Sequence, residues 1–163
     1  MKVMDDRSVD VGTCHVEDPL TWPTRVMWEQ DCGCVPVVDD EQHVIGMITD
    51  RDICMAAYSQ GRPLGEMTVD SAMARNIVTC RQTDELSVAH ERMREHQLRR
   101  LPVVDDDDLL VGLVTLADIA RVTSQGATKA ARQKGAEALL QTLAAVSKPR
   151  VGLALEVAPA SGE

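Results

Sequence analysis

The sequence predicts an α/β (α+β) fold made of two β-α-β-β-α motifs paired about a pseudo-twofold axis, with a helical tail. First, residues 35–53 and 101–119 align without a gap at an offset of 66, and nine of the nineteen positions are identical. Second, both stretches hold two apolar, β-rich runs separated by a short acidic turn, which is typical of a β-hairpin. Third, each hairpin ends in Thr-x-x-Asp, a typical helix start. Two copies are too few for a solenoid and favour a pair.

Each unit opens with a short β segment and a helix. We expect the opening strands at residues 9–14 and 77–80, because a Thr-Cys pair recurs there at the same offset. The helix is clearest in the second unit, where DELSVAHERMREHQL carries apolar residues at helical spacing. In the first unit LTWPTRVMWEQD takes this place, and Pro23 suits a first-turn position.

The hairpin and a second helix close each unit. Val-Pro-Val-Val and Leu-Pro-Val-Val begin the hairpins, whose second strands we expect at residues 44–48 and 109–114. After the second unit the composition becomes rich in alanine, with an apolar stripe that predicts a partly helical tail, whereas the last twelve residues show no pattern and should fray. We therefore divide the chain into first unit, second unit and tail at residues 1–63, 64–124 and 125–163.

Composition and charge exclude several classes of function. The net charge of −9 and an aromatic content of 2% argue against nucleic-acid binding, which uses cationic surfaces and aromatic stacking. The N-terminus lacks the apolar run of a signal peptide, and no stretch approaches the ~20 apolar residues of a membrane span. We expect a cytoplasmic protein without membrane contact. Its five cysteines, an odd number, should then be free thiols.

The strand, hairpin and Gly-x-[apolar]-Thr-x-x-Asp junction resemble the cystathionine-β-synthase (CBS) domain. The junction occurs at residues 46–52 and 112–118, and the resemblance covers roughly residues 5–124 as the tandem called a Bateman module. The first copy departs at its start, where Arg7 stands in place of the helix-starting methionine that Met73 provides in the second. The resemblance implies a regulatory module that binds AMP, ADP, ATP or S-adenosylmethionine between the units. Such pairs commonly dimerise through their helices into flat discs.

The two Thr-x-x-Asp junctions are the candidate binding sites. Thr49 with Asp52, and Thr115 with Asp118, match a capping box, which satisfies free amides at a helix start. The same geometry presents amides and a partial positive charge to a phosphate, while the aspartate can accept hydrogen bonds from ribose hydroxyls. We favour a binding role, mainly because of the resemblance.

The two sites differ in charge. Arg51 in the first junction corresponds to Ala117 in the second, and only an arginine can make a bidentate contact with a phosphate. We therefore expect one competent nucleotide site, around Thr49, Arg51 and Asp52. The resemblance adds the residues around the opening segments and the first hairpin strands. The predicted ligand-binding set is completed by Thr13, Cys14, Val35, Pro36, Thr79, Cys80, Arg100 and Pro102.

Other functions remain open as alternatives. Cys14, His15, Cys32 and Cys34 could form a zinc site, but Cys-x-Cys without a second pair is a weak motif, and we predict no metal and no required cofactor. No Walker loop, Gly-x-Ser-x-Gly or His-Glu-x-x-His occurs, so we predict no enzyme activity. We expect a homodimer that relays nucleotide binding to an unidentified regulated protein or through its own oligomer. The rivals are a ligand-free dimerising scaffold whose tail helix docks on a partner and, less favoured, a metal or redox sensor.

Overall fold

The computed structural model describes residues 2–3 and 10–149, which form five α-helices and five β-strands. The helices are α1 (Thr21–Glu29), α2 (Asp50–Gln60), α3 (Leu86–His96), α4 (Leu116–Ser124) and α5 (Lys129–Val146). The strands are β1 (Cys34–Val38), β2 (Val44–Thr49), β3 (Cys80–Arg81), β4 (Arg100–Val104) and β5 (Leu110–Thr115). The mixed α/β architecture and the helix in the tail are confirmed, while the predicted frayed end lies outside the described residues. None of the described helices combines the length and apolar character needed to cross a bilayer.

The two hairpins are built in the same way. β1 pairs antiparallel with β2, and β4 with β5, and each pair has one register shift at the same repeat position. The acidic turns close through their first aspartate: Oδ1 of Asp39 accepts from the amide of His43 at 2.8 Å, and Oδ1 of Asp105 from the amide of Leu109 at 2.9 Å. This bond to the backbone of its own turn explains the first aspartate of each turn.

The opening segments are shorter than predicted. Of the expected strand at residues 9–14, only Cys14 forms a bridge, parallel to Val37, and Val9 lies outside the described residues. The second opening strand is Cys80–Arg81 rather than residues 77–80, and it runs parallel to β4. Backbone hydrogen bonds to the neighbouring hairpin strand begin only at these two cysteines, so strand pairing cannot start earlier in either segment.

Each unit has its own hydrophobic core, and each core includes a segment from the other part of the chain. Met67, Val69 and Met73, which follow the predicted boundary at residue 63, are buried in the core formed by α1, α2, β1 and β2. Val3, near the beginning of the chain, is fully buried in the second core, and its amide donates to the carbonyl of Asp84 at 2.9 Å. The two units therefore exchange their opening segments.

Helix α5 lies across α3 and α4. Thr142 of α5 is fully buried, and its hydroxyl lies 2.8 Å from Nδ1 of His90 on α3. Gly135 allows a close approach to α4, because a Cβ there would lie 2.7 Å from Cγ2 of Thr123. Val146, the last residue of α5, is buried in the second core. The tail helix thus covers the outer face of the second unit.

The two units also meet along the hairpins. Met47 of β2 and Ala74 exchange two backbone hydrogen bonds, of 3.0 and 2.8 Å. The amide of Leu110 donates to the carbonyl of Gln42 at 3.1 Å. These bonds bring the end of β2 close to the segment that leads into β3, and the cleft described next lies there.

Candidate functional site

The start of α2 is held by a complete capping box. Thr49 ends β2 with an extended backbone, and its hydroxyl accepts from the amide of Asp52 at 3.2 Å. In return, Oδ2 of Asp52 accepts from the amide of Thr49 at 2.9 Å and from its hydroxyl at 2.7 Å. The start of α4 repeats this arrangement with Thr115 and Asp118, at 3.1, 3.0 and 2.7 Å. The predicted capping boxes are therefore present in both units.

The two capping aspartates differ in their second oxygen. Asp118 is only 5% exposed, and its Oδ1 pairs with the guanidinium of Arg121. Asp52 is half-buried, and none of the described residues donates a hydrogen bond to its Oδ1. Asp52 can therefore accept a hydrogen bond from a ligand at Oδ1 without giving up its cap, whereas both oxygens of Asp118 already have a partner.

A cleft of about 770 Å³ opens in front of Asp52. Its walls are the start of α2, the segment before β3, the start of β4 and the carboxyl end of α5. The lining residues are Met47, Thr49, Asp50, Arg51, Asp52, Ala74, Asn76, Ile77, Val78, Gln97, Leu98, Arg99, Arg100, Pro102, Val146, Ser147, Lys148 and Pro149. The cleft thus draws on both units and on the tail.

The charged residues of the cleft are mostly cationic. Four positive side chains face two carboxylates, although the whole chain has a net charge of −9. The guanidinium of Arg51 is exposed and makes no hydrogen bond or ion pair with the described residues. The amino end of α2 adds partial positive charge in the same place. The charged set consists of Arg51, Arg99, Arg100 and Lys148, with Asp50 and Asp52. This arrangement can hold an anion such as a phosphate.

Part of the remaining wall of the cleft is apolar. Ile77, Val78 and Leu98 are each partly exposed in it, and Pro102 lies below them at the start of β4. Apolar surface beside a few polar groups is the usual lining of a small-molecule site. A planar ring could pack on this wall while a polar group reaches Asp52.

Five of the predicted ligand-binding residues line this cleft: Thr49, Arg51, Asp52, Arg100 and Pro102. The other eight do not: Thr13, Cys14, Val35, Pro36, Thr79, Cys80, Thr115 and Asp118. Cys14, Val35 and Cys80 are fully buried, because the opening segments and the hairpins turn these side chains into the cores. Their role in binding stays a prediction.

Sequence reasoning missed two parts of the cleft. Residues 146–149 reach it only because α5 folds back over the second unit, and no motif in the sequence indicates that path. Residues 76–78 lead into β3. The position of β3 depends on contacts between the two units, which local sequence patterns do not indicate. The pairing of Arg121 with Asp118 had a detectable pattern, since residues three apart are neighbours on a helix.

The cysteines do not form the zinc arrangement considered above. Burial raises the pKa of Cys14 and of Cys80 to about 12 each, and it also raises the pKa of Cys34. A protonated thiol is a poor nucleophile and metal ligand. Among the described residues, only Asp39, Glu41 and His43 bring three possible ligand atoms within 4.8 Å, and these lie in the first hairpin turn. Asp39 and His43 already bond each other there, at 3.2 Å.

Comparison with known proteins agrees with the duplicated architecture. Residues 3–59 and 69–124 each match the family model of the CBS domain. The chain is 37% identical over 119 residues to the CBS domain-containing protein YhcV of Bacillus subtilis, covering 72% of the chain and 82% of YhcV. It is 35% identical over 124 residues to the uncharacterized protein MK0525 of Methanopyrus kandleri, covering 71% of the chain and 63% of that protein. The chain therefore spans slightly less than two thirds of MK0525.

Solved structures show the same pairing of units. The CBS domain pair of protein MJ0100, in complex with 5′-methylthioadenosine and S-adenosyl-L-methionine, superposes with a TM-score of 0.69 at 26% identity, covering 77% of this chain and 97% of that one. Hypoxic Response Protein I with two coordinated zinc ions gives a TM-score of 0.67 at 31% identity, covering 74% and 98%. The chain belongs to the CBS domain family and carries two copies of the domain in tandem.

Proposed function

We propose that this chain is a regulatory module, without enzyme activity, that binds an adenosine nucleotide in the cleft at the start of α2. One observation carries the proposal: the capping box of Thr49 and Asp52 opens into a cleft that also holds Arg51, Arg99 and Arg100. The ligand state would then pass to a regulated partner protein or through an oligomer of the chain itself.

Asp52 and the apolar wall support the proposal that the ligand contains adenosine. The available Oδ1 of Asp52 suits a ribose hydroxyl, and the wall around Ile77 and Leu98 suits a purine ring. The MJ0100 pair is bound to 5′-methylthioadenosine and S-adenosyl-L-methionine, which share an adenosine group.

The charge of the cleft favours a nucleotide over S-adenosylmethionine. S-adenosylmethionine carries a positive sulfonium, which the cationic side chains would repel, whereas a phosphate would be attracted to Arg51 and the amino end of α2. We therefore propose AMP, ADP or ATP as the regulatory ligand. We propose one such site rather than two, because Arg121 occupies the carboxylate oxygen of Asp118 that a ribose would need.

The matched pair Asp52→Ala and Asp118→Ala tests this assignment. Each variant loses the aspartate of its capping box, which should cost about 1 kcal/mol of stability, and Asp118→Ala should cost more because it also removes the ion pair with Arg121. Only Asp52→Ala should weaken nucleotide binding, by about 30-fold or more, because a hydrogen bond to a charged group contributes about 2 kcal/mol. Isothermal titration calorimetry with ATP and AMP measures the difference. Equal affinities in the two variants would refute the proposal.

Arg51→Ala separates phosphate binding from adenosine binding. We expect about tenfold weaker binding of ATP, a smaller dependence of that affinity on salt, and unchanged binding of adenosine. Arg25→Ala is the control, because Arg25 is equally exposed but lies on α1 and pairs with Glu29 at 2.8 Å. If adenosine and ATP lose the same affinity in Arg51→Ala, the phosphate is bound elsewhere.

A thermal-shift screen distinguishes the rival functions. AMP, ADP or ATP should raise the melting temperature by mass action, and S-adenosylmethionine should raise it less. No shift with any adenosine compound would favour the ligand-free scaffold. A shift with zinc alone would favour a metal sensor; the structure of Hypoxic Response Protein I holds two coordinated zinc ions.

We also propose a cytoplasmic location and a homodimer. All five cysteines are free thiols, which suits a reducing compartment, and adenosine nucleotides are abundant there. Fractionation of cells that produce the full chain would test the location. Sedimentation velocity on the full chain would test the homodimer.

A further inference from the structure

The tail helix α5 lies outside the two CBS domains. The second match to the family model ends at residue 124, and α5 begins at Lys129. From there α5 runs back over the second unit until residues 146–149 reach the cleft at the start of α2. One wall of the cleft therefore comes from a segment that is not part of either CBS domain.

The carboxyl end of α5 is anchored at the edge of this cleft. Val146, its last residue, is buried in the second core. Nε2 of Gln97, directly after α3, donates to the carbonyls of Ala145 and Lys148, both at 3.4 Å. These bonds hold the chain beside α3 up to the point where Lys148 lines the cleft.

Lys148 supplies one of the four cationic side chains of the cleft. It is exposed, and its ammonium forms no ion pair with any residue that the structure describes. The other three cations, Arg51, Arg99 and Arg100, belong to the CBS domains. An ammonium without a partner in the protein is available for an anionic ligand. The tail thus adds positive charge to the cleft that holds Arg51.

Few residues hold α5 on the second unit. Of its eighteen residues only Thr142 and Val146 are buried, while Leu140 and Leu143 are 67% and 46% exposed. Segments with few buried apolar contacts open at a lower free energy than the core of a protein. A further contact at one end of α5 can therefore change how firmly the whole helix docks.

The first unit is not covered in this way. His90 and Arg94 of the second unit lie 2.8 and 3.3 Å from the hydroxyl of Thr142 on α5. At the offset of 66 their places are taken by Thr24 and Trp28. Both of these residues line an open apolar groove of about 410 Å³ between α1 and α2. The tail helix therefore contacts one helix pair of the duplicated fold, together with the cleft.

We propose that the carboxyl end of α5 completes the nucleotide site, with Lys148 as a phosphate-binding residue. Because the same helix docks on α3 and α4, nucleotide binding and the docking of α5 stabilise each other through a reciprocal coupling. Loss of the nucleotide loosens α5 from the second unit, and this change is the signal that the module passes on. The inference rests on the proposed function, because it requires a nucleotide in the cleft.

Lys148→Ala tests the contact with the phosphate. Isothermal titration calorimetry should show about fivefold weaker binding of ATP and unchanged binding of adenosine. Lys134→Ala is the matched control, because Lys134 is exposed on the same helix and does not line the cleft. Equal ATP affinities in Lys148→Ala and the wild type would remove Lys148 from the site.

Gly135→Ala tests the coupling from a distance. Gly135 is about 16 Å from Val146 along α5, since each residue of a helix adds ~1.5 Å. The added Cβ would lie 2.7 Å from Cγ2 of Thr123, so α5 has to move away from α4. ATP should then bind about fivefold more weakly, or less tightly still, as is typical of coupled sites. Adding Thr123→Ala removes the clash and should restore the affinity.

Thr142→Val loosens α5 at a second point, because it keeps the shape of the side chain and removes the hydroxyl that contacts His90 and Arg94. Thr142 does not line the cleft, so only a shift of α5 can transmit its effect to ATP. We expect weaker ATP binding in this variant too. In the other direction, saturating ATP should slow hydrogen exchange of the α5 amides more than that of the α1 amides.

The outcomes separate this inference from the proposed function. Unchanged ATP affinity in both Gly135→Ala and Thr142→Val would overturn the coupling, as would α5 amides whose exchange ATP does not slow. An affinity that Thr123→Ala fails to restore would contradict the route through α4. A wild type that binds no ATP would contradict the proposed function itself, whereas a wild type that binds ATP and leaves α5 unaffected contradicts this inference alone.

Discussion

The two CBS units build the same hairpin and the same helix start and use them differently. Both place a capping box at the end of a hairpin, with hydrogen bonds that agree to within 0.1 Å. In the first unit Oδ1 of Asp52 is left for a ligand, while in the second Arg121 takes the equivalent oxygen of Asp118. The comparison teaches that a repeated motif predicts the geometry of a junction, but not which oxygens of its aspartate are already paired.

The outer helices of the units show a second contrast. Met27 on α1 and Met93 on α3 occupy the same repeat position. Met93 is fully buried under α5, whereas Met27 is 8% exposed and borders the open groove. The tail helix has thus converted the outer face of one unit into interior.

Truncation of the two methionines tests this contrast and should give the largest difference in the free energy of unfolding. Met93→Ala should lower the free energy of unfolding by about 2–5 kcal/mol, because it leaves a closed cavity in the second core. Met27→Ala should cost about 1–2 kcal/mol, because the groove beside it is already open. Urea denaturation of both variants, below the concentration at which the chain dimerises, gives the two values. Equal losses would show that α5 does not seal the second unit.

A smaller effect should appear with pH, and it is expected from His90 in the second unit. Burial lowers the pKa of His90 below its ordinary value, and the positive charge of Arg94 lowers it further. The folded state therefore favours the neutral imidazole of His90 over the protonated one. The contribution of this preference to the free energy of unfolding is fully present above the unfolded pKa of about 6.5 and is lost as pH falls below that value. Thr24 occupies the equivalent position in the first unit and does not titrate.

His90→Gln isolates this contribution. The stability difference between about pH 7.5 and about pH 5.5 should be smaller in the variant than in the wild type. Hydrogen exchange should show that the amides of α5 lose protection first in the wild type at the lower pH. An identical pH profile in the two proteins would mean that α5 docks independently of His90.

The smallest effect is expected where the units are alike. Thr49→Ala and Thr115→Ala should each cost about 1 kcal/mol, because each removes the same helix cap. Measured without ligand, the two losses should match. With ATP added, Thr115→Ala should regain more of the wild-type stability than Thr49→Ala, since Thr49 lines the cleft. A clear difference without ligand would contradict the equivalence of the two caps.

The repeat made much of this fold predictable. The hairpins, the acidic turns and both capping boxes depend on residues that are close in sequence, so local patterns were sufficient to place them. The preference for Thr49, Arg51 and Asp52 also came from a comparison of the two junctions. The structure adds an observation that the comparison of the junctions did not include, the ion pair of Arg121 with Asp118.

What could not be predicted depends on contacts between distant segments. Lys148 reaches the cleft because Thr142 and Gly135 fix the path of α5, and neither residue belongs to a recognisable motif. Trp28 and Tyr58 match the pattern of ordinary amphipathic helices, and only the structure shows that both side chains are exposed to solvent. The opening segments were extended too far because strand propensity cannot indicate where a pairing partner ends.

The exchanged opening segments set the order in which a growing chain can fold. The first core stays incomplete until Met73 has left the ribosome, because Met67, Val69 and Met73 belong to it. The second core needs Val3, which was synthesised first and must wait for α4. Neither hydrophobic core can be completed before part of the other unit has been synthesised. We therefore expect the two units to unfold in one cooperative transition. A cut between residues 63 and 64 would leave two fragments, each carrying residues that belong to the hydrophobic core of the other.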